Sequence, residues 1–212
     1  ALTKDKDQSY ALYNITKENL GRVLFPLGNY VKDEVRDIAK KYELPVATKP
    51  DSQEICFIQD NDYAGFINRM IETSSKPGYF VDTKGNILGE HKGIINYTIG
   101  QRKGLGIAFG KPMFVVKIDS KNNQVVLGEA HEVFSNELIA EDLNFLSIDT
   151  LKEPMRVNAK IRYSAKESPC VIHPLDNGEV KVIFDQPQRA VTPGQSIVFY
   201  DGDIVVGGGI IH

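Results

Sequence analysis

Cys56 sits in the stretch "DSQEICFIQD", residues 51–60, between an acidic, polar run and an aromatic. A thiolate is a soft nucleophile that can accept and expel sulfur, and a nearby cation or helix terminus lowers the usual thiol pKa of about 8.5. Beside Ile55, Phe57 and Ile58, the same residue also fits a small hydrophobe packed in a core. The polar "TKPDSQE" ahead of it places the thiol where a loop meets an ordered element, so both readings stand. Cys170, in "SPCVIHP", has no such lead-in and reads as core. The wide separation of the two cysteines matches neither a secreted disulfide framework nor a CxxC metal spacing. His91, His131, His173 and His212 are scattered outside any recognised ligand signature, so no metal is expected.

Three further clusters carry donors. In "YTIGQRKGLGI", Gly100, Gly104 and Gly106 bracket Gln101, Arg102 and Lys103. A phosphate cradle of the nucleotide-binding kind must open a helix, whose N-terminus supplies free N–H groups. Here a strand is expected to follow, so the alternatives are a glycine-shaped hairpin with exposed bases or a loop suited to the phosphodiesters of a nucleic acid. "DKDQSY" offers Lys6, Asp7 and Gln8, either as phosphate and base contacts or as an ordinary solvated helix cap. In "AKIRYSAK", Arg162 sets a cation beside the Tyr163 ring, a pairing common in single-strand RNA contacts and also on plain strands.

The elements that must position these residues change character along the chain. "SYALYNITKENL" puts Tyr10, Tyr13 and Leu20 at helical intervals and predicts a short helix ending at Gly21. Val31, Val35, Ile38 and Ala39 share one face of a helix expected over 32–42, closed by Pro45. The turn-rich "ETSSKPGYF" marks a boundary. After it come short β-branched and aromatic runs, with "MFVVKID" and "QVVLG" as a hairpin around Lys121-Asn122-Asn123. A second change comes near "GEAHEVFSNEL", beyond which strand-like runs recur between Pro and Gly, as in a small antiparallel barrel or sandwich.

With 212 residues, 42% hydrophobic and 25% charged, the chain has the composition of a globular protein rather than a disordered tail. A formal charge of −3 argues against coating nucleic acid by bulk charge. The charge is nevertheless segregated: from His91 to Ile118 no acidic residue occurs, while Lys92, Arg102, Lys103, Lys111 and Lys117 do. No apolar run approaches the roughly 18–20 residues of a membrane span, and the start has no leader pattern, so a cytoplasmic protein is expected. The chain opens without Met on a charged run, which gives the further expectation of a piece of a longer protein.

Taken in order, "DKDQSYALY", "FPLGNYVKDEVRDIAKKYELPVATKPDSQEICFI", "GIINYTIGQRKGLGI" and "AVTPGQSIVFYDGDIVVGGGII" resemble the bacterial tRNA-specific 2-thiouridylases across nearly the whole chain. The resemblance implies an α+β, multi-domain fold. Residues 1–72 would be the helical remnant of an α/β nucleotide-hydrolase-like catalytic domain, 73–131 a small strand-rich central domain, and 132–212 a C-terminal antiparallel β-barrel. It also implies ATP-dependent 2-thiolation of the tRNA wobble uridine, U34, with ATP as cosubstrate. Sulfur would arrive from a cysteine desulfurase or sulfur-relay protein, be carried as a persulfide on Cys56, and leave as a second cysteine forms a disulfide with it. By the same resemblance Lys6, Asp7, Gln8, Arg162, Tyr163 and the Gln195 of "TPGQ" contact tRNA, with Arg102 and Lys103 as further candidates. The family's Ser-Gly-Gly-x-Asp-Ser loop does not occur in this sequence, so the chain is expected to be inactive alone. The alternative from another class is a stand-alone RNA-binding module in which Cys56 only packs.

Overall fold

The computed structural model describes residues 7–49, 62–70 and 76–212. The chain forms two compact units that are not consecutive in sequence: Ala1–Ser52 with Glu137–Gln186 and Pro193–His212, and Gln53–Asn136 with Pro187–Thr192.

In the first unit, α1 (Ser9–Leu12) and α2 (Lys17–Leu20) replace the single short helix expected from periodicity. The break has one local cause and one distant one. Thr16 is extended and N-caps α2 through its hydroxyl, while the freed carbonyls of Tyr13 and Ile15 accept from the Asn144 side-chain amide at 2.5 and 3.1 Å. Helix α3 (Lys32–Lys41) lies where the apolar spacing put it, and Glu34 accepts from the Val31 N–H at its start. None of its residues is fully buried.

The rest of this unit is a closed barrel. Its strands are β5 (Phe134–Phe145), β6 (Met155–Lys160), β7 (Ser168–Pro174), β8 (Val180–Arg189), β9 (Ser196–Asp201) and β10 (Ile204–Ile211), ordered β10-β5-β8-β7-β6-β9. Along β7, Cys170 and Ile172 are fully buried while their neighbours are not, the period of two that a barrel wall requires. Strand β9 departs from that alternation, with Ile197, Val198, Phe199 and Tyr200 all buried. Val198 and Tyr200 face Tyr13 of the α1 segment, so both sides of this strand are covered. Full burial of a large apolar side chain stabilises by about 1.5–3 kcal/mol, which makes Tyr13, 2% exposed, a main anchor of the segment.

The second unit holds α4 (Tyr63–Met70) and a four-stranded sheet, β2-β1-β4-β3, from β1 (Gly78–Asp82), β2 (Ile87–His91), β3 (Phe114–Asp119) and β4 (Gln124–Gly128). β3 and β4 are the expected antiparallel hairpin, whereas β1 and β4 run parallel. Phe80, Tyr97, Leu105, Met113, Val115, Val125 and Leu127 form its core.

Candidate nucleic-acid interface

The candidate interface begins at the first turn of α1. Asp7 accepts from the Ser9 N–H at 2.8 Å and from its hydroxyl at 2.9 Å. Burial alone would raise the Asp7 carboxyl, but these two hydrogen bonds and the positive charge nearby, Lys160 included, together hold its pKa below the usual carboxylate value. Gln8, exposed, donates through Nε2 to the Tyr163 hydroxyl at 2.8 Å. Tyr163 stands in the turn between β6 and β7, half exposed, with its ring meeting Tyr10 edge-on at 6.1 Å. Arg162, one residue back, is close enough for its charge to act on the Tyr10 hydroxyl.

Tyr10 is itself tied down. Its hydroxyl donates to the Ser196 carbonyl at 2.7 Å, and burial, with Tyr13 and Tyr200 alongside, pushes its pKa up to about 12. Ser196 also accepts from the Tyr13 hydroxyl at 2.9 Å, through its own side chain. Gln195, exposed, immediately precedes Ser196 in the turn that leads into β9. Asp7, Gln8, Arg162, Tyr163 and the backbone next to Gln195 are therefore gathered on one side of this unit. An amide, a guanidinium and a half-exposed ring so arranged can hydrogen-bond, neutralise phosphate and stack on a base.

Reasoning from the sequence did not single out Lys160, Ser196 or Tyr200 for this face. Lys160 lies 5.5 Å from the Tyr200 ring centre, and the Tyr200 hydroxyl is 3.2 Å from that of Ser9. The available signal was the unbroken apolar run "SIVFY", which two-sided burial produces. Tyr10 and Tyr13 were visible only as a helical face, because spacing does not reveal where a hydroxyl finds its partner. Lys6 and Cys56 lie outside the described residues.

In the second unit the glycine loop is neither a hairpin nor a helix-opening cradle. It is braced against β3, with the Gly100 N–H donating to the Val115 carbonyl at 2.7 Å and the Val115 N–H to the Gln101 carbonyl at 2.9 Å. Buried Tyr97, Leu105 and Met113 pin it to the core. Gly100, Gly104, Gly106 and Gly110 take left-handed backbone conformations, and Arg189 fixes the first by donating to its carbonyl at 3.0 Å. The loop walls an open cleft of about 640 Å³ with Arg102 and Lys111 at its edge, and Arg102 and Lys103 are exposed. Because β3 follows rather than a helix, the described residues of this loop do not fit ATP phosphates in the manner of a nucleotide-binding loop.

Cys170 is a free, buried thiol in the barrel wall, as expected, and burial pushes its pKa up to about 12. Among the described residues, Glu141, Glu179 and His212 bring a ligand atom each within 4.8 Å of one another, a grouping that the scattered histidines did not foretell. His212 Nδ1 is 3.6 Å from Glu141 and 3.7 Å from Glu179. No helix among the described residues is long and apolar enough to cross a membrane.

Comparison with known proteins aligns three family profiles in succession along the chain. A tRNA methyl transferase HUP domain matches residues 1–60, a tRNA methyl transferase PRC-barrel domain residues 64–129, and an aminomethyltransferase beta-barrel domain residues 135–211. A protein of Acetivibrio thermocellus named tRNA-specific 2-thiouridylase MnmA is 68% identical over 212 residues, all of this chain and 59% of its own length. Its namesake in Clostridioides difficile is 61% identical over the same span, again 59% of the relative. One from Thermoanaerobacter sp. is 65% identical over 207 residues, 98% of this chain and 57% of the relative. The chain thus spans less than two thirds of the length of these relatives. At this identity over its whole extent, with the profiles in unbroken order, the chain is similar along its full length to the tRNA-specific 2-thiouridylases.

Proposed function

We propose that this chain is the RNA-holding and sulfur-carrying part of a cytoplasmic tRNA-uridine 2-sulfurtransferase that thiolates U34. The observation that carries the reading is the gathering of Gln8, Arg162, Tyr163 and the Gln195–Ser196 turn on one face, although they come from distant parts of the sequence. Lys6, adjacent to Asp7 in sequence, would add a cation at its edge. Arg102 and Lys103, exposed on a braced loop, would contact phosphates elsewhere on the same RNA.

Cys56 carries the sulfur in this reading. Its thiolate attacks the sulfane sulfur of a desulfurase or relay persulfide and displaces the donor's thiolate, leaving a persulfide on Cys56. Cys170 does not compete, because a buried thiol with a raised pKa supplies almost no thiolate near neutral pH. The second cysteine that would resolve the persulfide as a disulfide is therefore not Cys170. ATP is the cosubstrate this activity requires, and the described residues supply no loop for it.

The test is sulfur loading of the chain from a cysteine desulfurase and cysteine, followed by mass spectrometry with and without tRNA. A persulfide on Cys56 and none on Cys170, together with salt-dependent tRNA binding, is the expected result. Salt-dependent binding with no persulfide would leave a stand-alone RNA-binding module. No binding would overturn the RNA-holding reading.

A further inference from the structure

Tyr163 stands half exposed in a turn, where a tyrosine ring ordinarily samples more than one rotamer. Here it is held from two sides by residues of the α1 segment. Gln8 Nε2 donates to its hydroxyl at 2.8 Å, and the Tyr10 ring meets it at an interplanar angle of 72°. Neither holder is an independent surface residue, because both ride on a segment clamped to the barrel. The Tyr10 hydroxyl donates to the Ser196 carbonyl, and the Tyr13 hydroxyl to the Ser196 side chain and, at 3.3 Å, to the Gly209 carbonyl. Asn144, from β5, spends its amide on the two carbonyls exposed where α1 breaks from α2.

Gly208 completes the clamp. A Cβ at this position would lie 2.6 Å from Tyr13 Cδ2 and 2.5 Å from the Ile197 carbonyl, so the Tyr13 ring can lie on β10 only because a side chain is missing there. Gly208, the middle residue of the run "GGG" in β10, is thus the seat of the Tyr13 ring. Its neighbours along the seam, Val198 and Tyr200, are buried by the same ring.

We propose that Tyr10, Tyr13, Asn144 and Gly208 are positioning residues for RNA recognition, holding Gln8 and Tyr163 as one preorganised platform on which a tRNA base stacks. This rests on the RNA-holding reading above and adds what that reading lacks: the reason a barrel turn and the α1 segment act as a single surface. Ordering a loose side chain on binding lowers affinity by roughly two- to tenfold, so a platform ordered beforehand avoids that loss.

The sequence contains no tryptophan, so Tyr163→Trp places a unique fluorophore on the platform; its indole N–H can donate to the Gln8 side-chain oxygen in place of the lost hydroxyl acceptor, and tRNA affinities of all variants are measured in the Tyr163 background as well. In the Tyr163→Trp background the full chain is titrated with an unmodified tRNA transcript, following Trp quenching, and the free protein's fluorescence anisotropy is recorded. Tyr10→Phe keeps the ring and removes only the hydroxyl of a half-buried residue. Asn144→Ala and Gly208→Ala attack the clamp more severely, and Tyr10→Phe keeps the test alive should they fail to fold. Arg162→Ala is the control for the RNA-holding reading.

The expected result is that each folded clamp variant lowers the Trp anisotropy of the free protein and weakens tRNA binding by roughly two- to tenfold. Unchanged anisotropy and affinity in folded variants, with Arg162→Ala still weakening binding, would overturn the positioning role alone. Unchanged affinity in Arg162→Ala as well would overturn the RNA-holding reading and this inference with it.

Discussion

Arg162→Ala removes a charge and Tyr163→Ala removes a ring, and a salt titration separates the two losses. The arginine variant is expected to weaken tRNA binding and flatten the log K against log salt slope by about one, because one fewer counterion is released. The tyrosine variant is expected to cost about 1–3 kcal/mol at every salt concentration, since stacking area rather than charge is lost. Parallel slopes for both variants would contradict that division. The thiols divide equally sharply. Cys170, with its pKa raised to about 12 by burial, is expected to stay unalkylated near pH 8 in the folded chain and to label only after denaturation, whereas Cys56 labels in the native state. Mass spectrometry of the alkylated peptides reads both. At this scale the sequence pointed to the polar donors Gln8 and Arg162 through their family context, and to Cys170 as core through its apolar surroundings. It could not point to Ser196 or Asn144, whose importance lies in which carbonyl or hydroxyl they meet.

At the scale of elements, periodicity did best where one surface sets the pattern. Helix α3 and the β3–β4 hairpin follow from apolar spacing and an Asn-rich turn alone. β5, the longest strand of the barrel, was read only as a change of texture, because Glu137, Glu141, Asp142 and Asn144 interrupt its apolar positions and only Leu138 and Ala140 are buried. The α1–α2 break was illegible for a related reason: its carbonyls are satisfied by Asn144, well over a hundred residues away. In the second unit, β2 ends on His91, which is 2% exposed, accepts from the Gly93 N–H at Nδ1 and packs edge-on against Phe80 and Tyr97. Burial lowers its pKa below the usual histidine value, with the Asn123 backbone opposing that shift. The unfolded chain therefore takes up this proton at a higher pH than the folded one. The stability His91 contributes is complete above about pH 6.5 and is lost as pH falls through that value toward the lower folded pKa. Thermal unfolding of the full chain between pH 7.5 and 5 is expected to show a falling midpoint. His91→Asn, whose Oδ1 can still accept from Gly93, is expected to flatten that fall, and an equal fall in the variant would assign it to other groups.

At the scale of the molecule, compactness does not follow chain order. The barrel shares a unit with the opening segment of the chain, and the short stretch Pro187–Thr192 belongs with the sheet unit. Division of the sequence at 72 and 131 gives successive segments, whereas the compact units interleave them, and the proposed RNA face draws on residues of the first and last segments together. In the proposed reading, the α1 seam preorganises that face. A barrel turn alone would offer Arg162 and Tyr163; the clamped segment adds Gln8 and fixes the ring. The measurement that tests this most directly is hydrogen exchange of the full chain with and without an unmodified tRNA transcript. Amides of residues 7–13, 160–164 and 195–200 are predicted to gain protection together, at the same tRNA concentration. Protection confined to one of these segments, or absent from all of them while tRNA is bound, would contradict a single composite RNA-binding face.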